Sequence, residues 1–136
     1  LIGLVGSEMC IRDSDYTEPL DVNRMRKAAE YLCGTHDFKS FCGNKKMKKS
    51  TVRTISRIQI KELPGEIQIY YTGNGFLQNM VRILTGTLIE IGDGRRTPED
   101  VSEILEAKNR ERAGYTAPAC GLTLLEVIYG KMVCNK

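Results

Sequence analysis

Histidine is nearly missing from this sequence of 136 residues, where His36 is the only one. The five cysteines (Cys10, Cys33, Cys42, Cys120 and Cys134) are scattered and form no Cys-x-x-Cys pair. An odd, dispersed set argues against a disulfide scaffold and makes a reducing cytoplasm the expected compartment. Cys33, His36 and Cys42 have no fourth soft ligand beside them, so small core thiols are a better reading than a zinc site. Apolar runs are only a few residues long, far short of the ~20 that cross a bilayer, so no membrane partner is expected. No nucleophile elbow singles out a serine or cysteine for covalent catalysis. Excess charge is missing too: 20 basic against 17 acidic residues leave a net +3. With 41% hydrophobic and 27% charged residues, the composition is that of one globular domain rather than a disordered chain.

The first residues are set apart. The chain opens on Leu1, and residues 1–14 carry neither a helical nor a strand period. Leu1 to Gly6 lacks the basic start and longer apolar centre of a secretory signal. The string LVGSEMCIRDS resembles a recurrent translated adaptor sequence. Residues 1–14 are therefore expected to be non-native, and 15–136 to be one α/β domain that is a piece of something longer.

From Asp21 the pattern turns helical. Val22, Met25, Ala28, Ala29 and Leu32 recur at three- and four-residue spacing, Asp21 can cap, and Gly34 can terminate. Thr35 to Cys42 reads as a polar-aromatic loop. Residues 51–61 alternate like a strand, with Val52, Thr54, Ser56, Ile58 and Ile60 on one face. Pro64-Gly65 predicts a hairpin turn into a strand whose inward face is Ile67, Ile69 and Tyr71. A long helix follows, with Phe76, Leu77, Met80, Val81, Leu84, Leu88 and Ile91 on an apolar stripe. Gln78, Asn79, Arg82 and Gly86 point away from it. Thr97-Pro98-Glu99-Asp100 predicts a capped helix with Val101, Ile104, Leu105 and Ala107 buried. Gly114 to Gly121 reads as a loop of small residues, and Leu122 to Tyr129 as a last strand. The order helix, strand, strand, helix, helix, strand predicts an α+β fold: a three-stranded antiparallel sheet with helices packed on one face and one open edge.

Charge is concentrated in one place. Between Lys45 and Arg57 lie six cations (Lys45, Lys46, Lys48, Lys49, Arg53 and Arg57) and no acid, twice the net charge of the whole chain. Beside the aromatic residues Phe38 and Phe41, such a cluster suits a nucleic-acid backbone with unpaired bases to stack. A solvated, flexible basic loop is the alternative. His36-Asp37 reads either as an acid-base pair or, more readily, as two side chains tying their own loop. Arg82 is the most pointed single residue. It lies opposite the apolar stripe near Gln78 and Asn79, with Gly86 four residues on, where a helical glycine suggests close approach of another backbone or a ligand. An arginine so placed either pairs with a buried carboxylate, keeping it charged, or sits on the surface.

Four segments, GTHDFKSFC (34–42), KSTVRTI (49–55), GNGFLQNMVRILTGTLIEIGDGRR (73–96) and ILEAKNRERAGYTAPACGLTLLEVIY (104–129), resemble the carboxy-terminal half of the tRNA pseudouridine synthase A family. The resemblance spans nearly everything from about 19 to 129 and implies half of a pseudouridine synthase catalytic fold. It implies isomerisation of uridine to pseudouridine in the tRNA anticodon stem-loop, with tRNA as partner, no cofactor or metal, and a homodimer as the usual whole protein. In that family an aspartate starts the reaction at the flipped nucleotide, the glycosidic bond breaks, and the base reattaches through carbon. Arg82 resembles the family's helix arginine, partner of that aspartate. His36, Asp37, Phe38 and the six cations are the candidate RNA-binding residues. The Gly-Arg-Thr-Asp-Ala-Gly type of motif that carries the aspartate is not found here, and no aspartate of this sequence has its surroundings. Tyr115 stands where the family often has proline. The chain alone is thus expected to be inactive; the alternatives are a noncatalytic RNA-binding module and a purely structural assembly piece.

Overall fold

The computed structural model describes residues 2–4, 7–12, 20–63 and 66–117. The strands are β1 (Ile2–Leu4), β2 (Ser7–Arg12), β3 (Gly34–Asp37), β4 (Val52–Leu63) and β5 (Glu66–Gly73), and the α-helices are α1 (Val22–Leu32), α2 (Met80–Gly92) and α3 (Asp100–Ala107). Short 3₁₀ turns cover Lys39–Phe41 and Arg110–Arg112. The sheet is antiparallel in the order β1-β2-β5-β4-β3. The α+β class expected from the sequence is therefore the fold observed. Among the described residues, no helix is long and apolar enough to cross a membrane.

The strand inventory differs from the three expected. The last predicted strand, Leu122 to Tyr129, and the Pro64-Gly65 turn lie outside the described residues. The sequence predicts one open edge without assigning it to a strand; β5 carries β2 on the side away from β4, with Met9 opposite Ile69 and Ile11 opposite Ile67. Residues 1–14, expected to be non-native and showing no strand period, contribute two strands. Strand pairing is made by backbone N–H and C=O groups, which need no periodic side-chain signal. The segment read as a loop from Thr35 likewise begins as β3, on the opposite edge, with His36 opposite Arg53 and Asp37 opposite Val52.

Within β4 the strict alternation fails at one residue. Ile55 pairs with Gly73 but Arg57 pairs with Thr72, so Ser56 is an extra residue in a β-bulge. A one-residue insertion exchanges the two faces of a strand. Ile55 is consequently buried with Ile60, while Val52, assigned to the same face as Ile60, is 46% exposed. On β5 the expected face is the one buried: Ile67, Ile69 and Tyr71 all enter the core. The fully covered Tyr71 hydroxyl finds Thr85 Oγ1 at 2.8 Å. Burial raises its pKa, and the bond to Thr85 offsets this only in part.

Helix α1 follows its pattern. Asp21 caps it by accepting from the amides of Asn23 and Arg24, and Val22, Met25, Ala28, Ala29 and Leu32 are buried. It packs on α2 at Gly92, where a Cβ would lie 2.9 Å from Met25 Cγ and Sδ. Arg24 clamps that end of α2, donating from Nε to the Ile91 carbonyl (3.0 Å) and from Nη2 to the Arg96 carbonyl (2.6 Å). Its charge also complements the negative end of the α2 dipole.

Helix α2 starts later than the periodicity suggests. Asn79 precedes it in the left-handed conformation (φ 58°), and Phe76 and Leu77 are buried in the irregular segment before it. The helix is buried nearly all round, leaving only Arg82 and Glu90 half-exposed. Gly86 does not point to solvent as the stripe implied. A Cβ there would collide with the carbonyl of Tyr115, so the close backbone approach inferred from a helical glycine is present. In α3, Val101 and Ile104 are buried and Leu105 is half-buried, but Ala107 is exposed, contrary to expectation, because the helix ends there. Its start is tied by the Asp100 carboxylate accepting from the Thr97 amide at 2.9 Å rather than by a threonine hydroxyl cap.

Candidate nucleic-acid interface

Arg82 stands on the first turn of the buried helix α2, and two bonds fix its guanidinium plane. Nε donates to the Ala117 carbonyl at 2.7 Å and Nη1 to Asn79 Oδ1 at 3.2 Å. In return, the Ala117 amide donates to the Arg82 carbonyl at 3.0 Å. Asn79 can reach back along the helix because its left-handed backbone turns the chain into α2 at that residue. Among the described residues no carboxylate forms an ion pair with Arg82, and no acceptor engages Nη2. The side chain is half-buried: neither sealed in the core nor free in bulk solvent.

The segment 113–117 that meets Arg82 is held along the whole of α2. Gly114 N donates to Thr87 Oγ1 (2.9 Å), and that hydroxyl donates to the Ile83 carbonyl (2.9 Å). Glu90 accepts from the Tyr115 amide through Oε2 and pairs with Arg96 through Oε1 at 2.6 Å. Arg96 in turn donates to the carbonyls of Arg112 and Ala113. The Tyr115 hydroxyl pKa is raised, chiefly by burial; Arg95 opposes this, and Glu90 and Asp93 add to it. The tyrosine at this position thus packs against a charged turn while its backbone crosses Gly86.

A second loop reaches the same end of α2. The Gly43 amide donates to the Gln78 carbonyl at 2.8 Å, and a Cβ on Gly43 would lie 2.9 Å from Asn79 Nδ2. The basic segment therefore leaves the core next to the residue that orients Arg82. Lys45, Lys46, Lys48 and Lys49 are exposed, while Met47 between them packs against the core and pins the segment down. Arg53 is half-buried and donates to the carbonyls of Ser50 and Val52, and Arg57 is exposed at the bulge.

The remaining candidates play other parts. His36 Nε2 lies 2.9 Å from the Cys33 carbonyl, and its ring meets Phe38 edge-on at 5.6 Å. Asp37 accepts from the Lys39 amide and from the Thr51 hydroxyl. The two side chains tie β3 and the following turn rather than each other. Phe38 does not offer a face to a base: it and Phe41 are both fully buried, 6.1 Å apart, and the stacking surface expected of them is corrected to a core contact. A polar run between two aromatics hides which of them point inward until the 3₁₀ turn is known.

Ser40, between those rings, is a residue the sequence did not single out. Fully buried, it donates to the Ile104 carbonyl (2.6 Å) and accepts from the Asn109 amide (2.8 Å), joining the 3₁₀ turn to the end of α3. Ser40→Ala strips the buried Ile104 carbonyl and the partly covered Asn109 amide of their partner and is expected to cost about 1–3 kcal/mol. Chemical denaturation checks this; a loss below about 0.5 kcal/mol would mean that both groups find other partners.

Comparison with known proteins gives this geometry its context. The family model described as tRNA pseudouridine synthase matches residues 28–130. The tRNA pseudouridine synthase A of Brevibacillus brevis is 51% identical over 111 residues, covering 82% of this chain and 46% of the relative. That of Limosilactobacillus reuteri is 50% identical over 119 residues, covering 86% and 46%. The tRNA pseudouridine synthase A 1 of Bacillus cereus is 51% identical over 114 residues, covering 84% and 46%. The chain spans about half the length of these curated relatives. With the matched segment including both loops around Arg82, the chain belongs to the tRNA pseudouridine synthase A family.

Proposed function

We infer that this chain is the arginine-bearing half of an enzyme that isomerises uridine to pseudouridine in the anticodon stem-loop of cytoplasmic tRNA, and that without the other half it is inactive. One observation carries the reading: Arg82 has its guanidinium plane fixed by Ala117 and Asn79 while Nη2 stays unengaged among the described residues. A planar fork held in this way is suited to receive a carboxylate and keep it ionised. An aspartate supplied by the complementary half would then act on a flipped uridine. The bond from N1 to the ribose breaks, the base turns, and C5 bonds to the same ribose carbon. The C5 proton is lost and N1 gains one, so the net change is an isomerisation. Arg82 holds the nucleophile charged and does not itself touch the base. The exposed Lys45–Lys49 segment supplies cations for the RNA backbone, and the whole enzyme works as a homodimer.

The test is complementation. The chain alone, incubated with unmodified tRNA, is expected to form no pseudouridine. Adding the amino-terminal half of the Brevibacillus brevis relative is expected to start the reaction, read by tritium release from C5-labelled uridine. Turnover by the chain alone, or none from the combined halves, overturns the proposal. Salt-sensitive binding of tRNA without turnover in the combined preparation would favour a noncatalytic RNA-binding module instead.

A further inference from the structure

A cavity of about 300 Å³ opens between the Lys39–Phe41 turn, the loop after it and the α3-to-Arg110 junction. Its walls carry four cations, Lys39, Lys45, Lys108 and Arg110, against the single carboxylate of Glu111. Only Lys45 belongs to the basic run that stands out in the sequence; folding brings the other three to it. None of the three lysines forms an ion pair among the described residues. Arg110 is fixed by donating to the Gly114 carbonyl (2.8 Å) and Thr116 Oγ1 (3.0 Å). Lys108 holds φ 49°, a left-handed conformation that glycine or asparagine adopts more cheaply. The Ser40 bonds to Ile104 and Asn109 lock the two walls together, so the charges are assembled before any ligand arrives.

We propose that this cavity is a phosphate subsite for the RNA backbone, seating a phosphodiester one step away from the nucleotide presented to Arg82. The inference rests on the functional reading above. Two short connections make the cavity and Arg82 neighbours. Cys42 and Asn44 line the cavity, while Gly43 between them bonds to Gln78 beside Asn79. Arg110 bonds to Thr116, and the next residue, Ala117, accepts from Arg82. Clustered, unpaired ammonium groups on a preassembled wall gain from an anion that displaces their counterions, and a nucleic-acid strand supplies such anions at regular spacing.

The experiment measures binding of a fluorescein-labelled anticodon stem-loop RNA by the full chain across a salt series. Lys39→Gln combined with Lys108→Gln is compared with Lys27→Gln combined with Lys61→Gln, which removes two charges outside the cavity. Loss of two phosphate contacts is expected to weaken binding about tenfold near physiological salt and to lower the log–log salt slope by about 1.4–1.8. The comparison pair is expected to change affinity less than about twofold. All four lysines are exposed, and thermal melting confirms that both variants fold. Equal weakening by both pairs, or no RNA binding by the wild-type chain, overturns the subsite. So does a result in which 5′-uridylate or inorganic phosphate binds in a Lys39- and Lys108-dependent way while RNA affinity is unmoved, because that describes a small-anion site. Turnover in the complemented enzyme is a separate readout. Normal turnover by the complemented enzyme together with RNA binding that Lys39→Gln and Lys108→Gln leave unchanged rejects the subsite alone. Failed complementation with a persistent cavity effect on RNA binding rejects the enzymatic reading alone.

Discussion

In the complemented enzyme, Arg82→Ala is expected to lower kcat by at least about a hundredfold, the scale on which one preorganised charge-stabilising group acts in a water-poor site. The physical reason is positional. Two of the arginine's donors are spent on Ala117 and Asn79, which leaves a fixed direction for the rest. Arg82→Lys should recover little of the loss. A lysine has no planar fork, so an ammonium that donates to Ala117 holds no fixed direction toward a carboxylate. The alanine variant also leaves the Ala117 carbonyl without its partner, a stability cost of about 1–2 kcal/mol that thermal melting will register. A fall in kcat measured at an unchanged folded fraction isolates the electrostatic role from that cost. Activity within about threefold of wild type at saturating tRNA would end the proposed role of Arg82 and return it to a structural brace for the 113–117 segment.

What the sequence made legible follows from how each signal is encoded. Helix α1 was readable because its apolar residues, its cap and its terminator are all local, and Asp21, Met25 and Leu32 do in the structure what their spacing says. The inward face of β5 was readable for the same reason. The face of β4 was not, because the bulge at Ser56 is decided by pairing with Gly73 and Thr72 and leaves no mark in β4 itself. The edge strands β1 and β3, and β2 beside β1, escaped notice because strand pairing is made by backbone bonds. At the candidate site, Arg82 and the lysine run were visible as charge, and Gly86 as a helical glycine. The parts that give them geometry were not. Asn79 orients Arg82 only because it adopts a left-handed backbone, and Ser40 matters only because Ile104 and Asn109 come to it across more than sixty residues of chain. Lys39, Lys108 and Arg110 are unremarkable singly in sequence and acquire meaning by convergence on one cavity.

Gly86→Ala sets two effects of opposite sign against each other. In a free helix the change is worth up to about 1 kcal/mol in favour of alanine. Here the new methyl would overlap the carbonyl oxygen of Tyr115 and lie 2.8 Å from its carbonyl carbon, so the obstacle is backbone and not the end of a flexible side chain. That backbone cannot slide away cheaply. Gly114 is bonded to Thr87, the Tyr115 amide to Glu90, and Ala117 to Arg82 in both directions. Gly114 is itself too close to α2 to retreat inward, since its own Cβ would sit 2.8 Å from Thr87 Cα. The steric term therefore wins: a net loss of about 1–3 kcal/mol is expected, the range for overpacking a filled interior. The same displacement should loosen the Ala117 contact that fixes Arg82, so catalysis in the complemented enzyme falls further than stability alone accounts for. Thermal denaturation of the chain and turnover of the complemented enzyme, measured together, check both halves of this expectation. A melting temperature raised by the substitution would show that helix propensity dominates and that the 113–117 segment is not pressed against α2 at all.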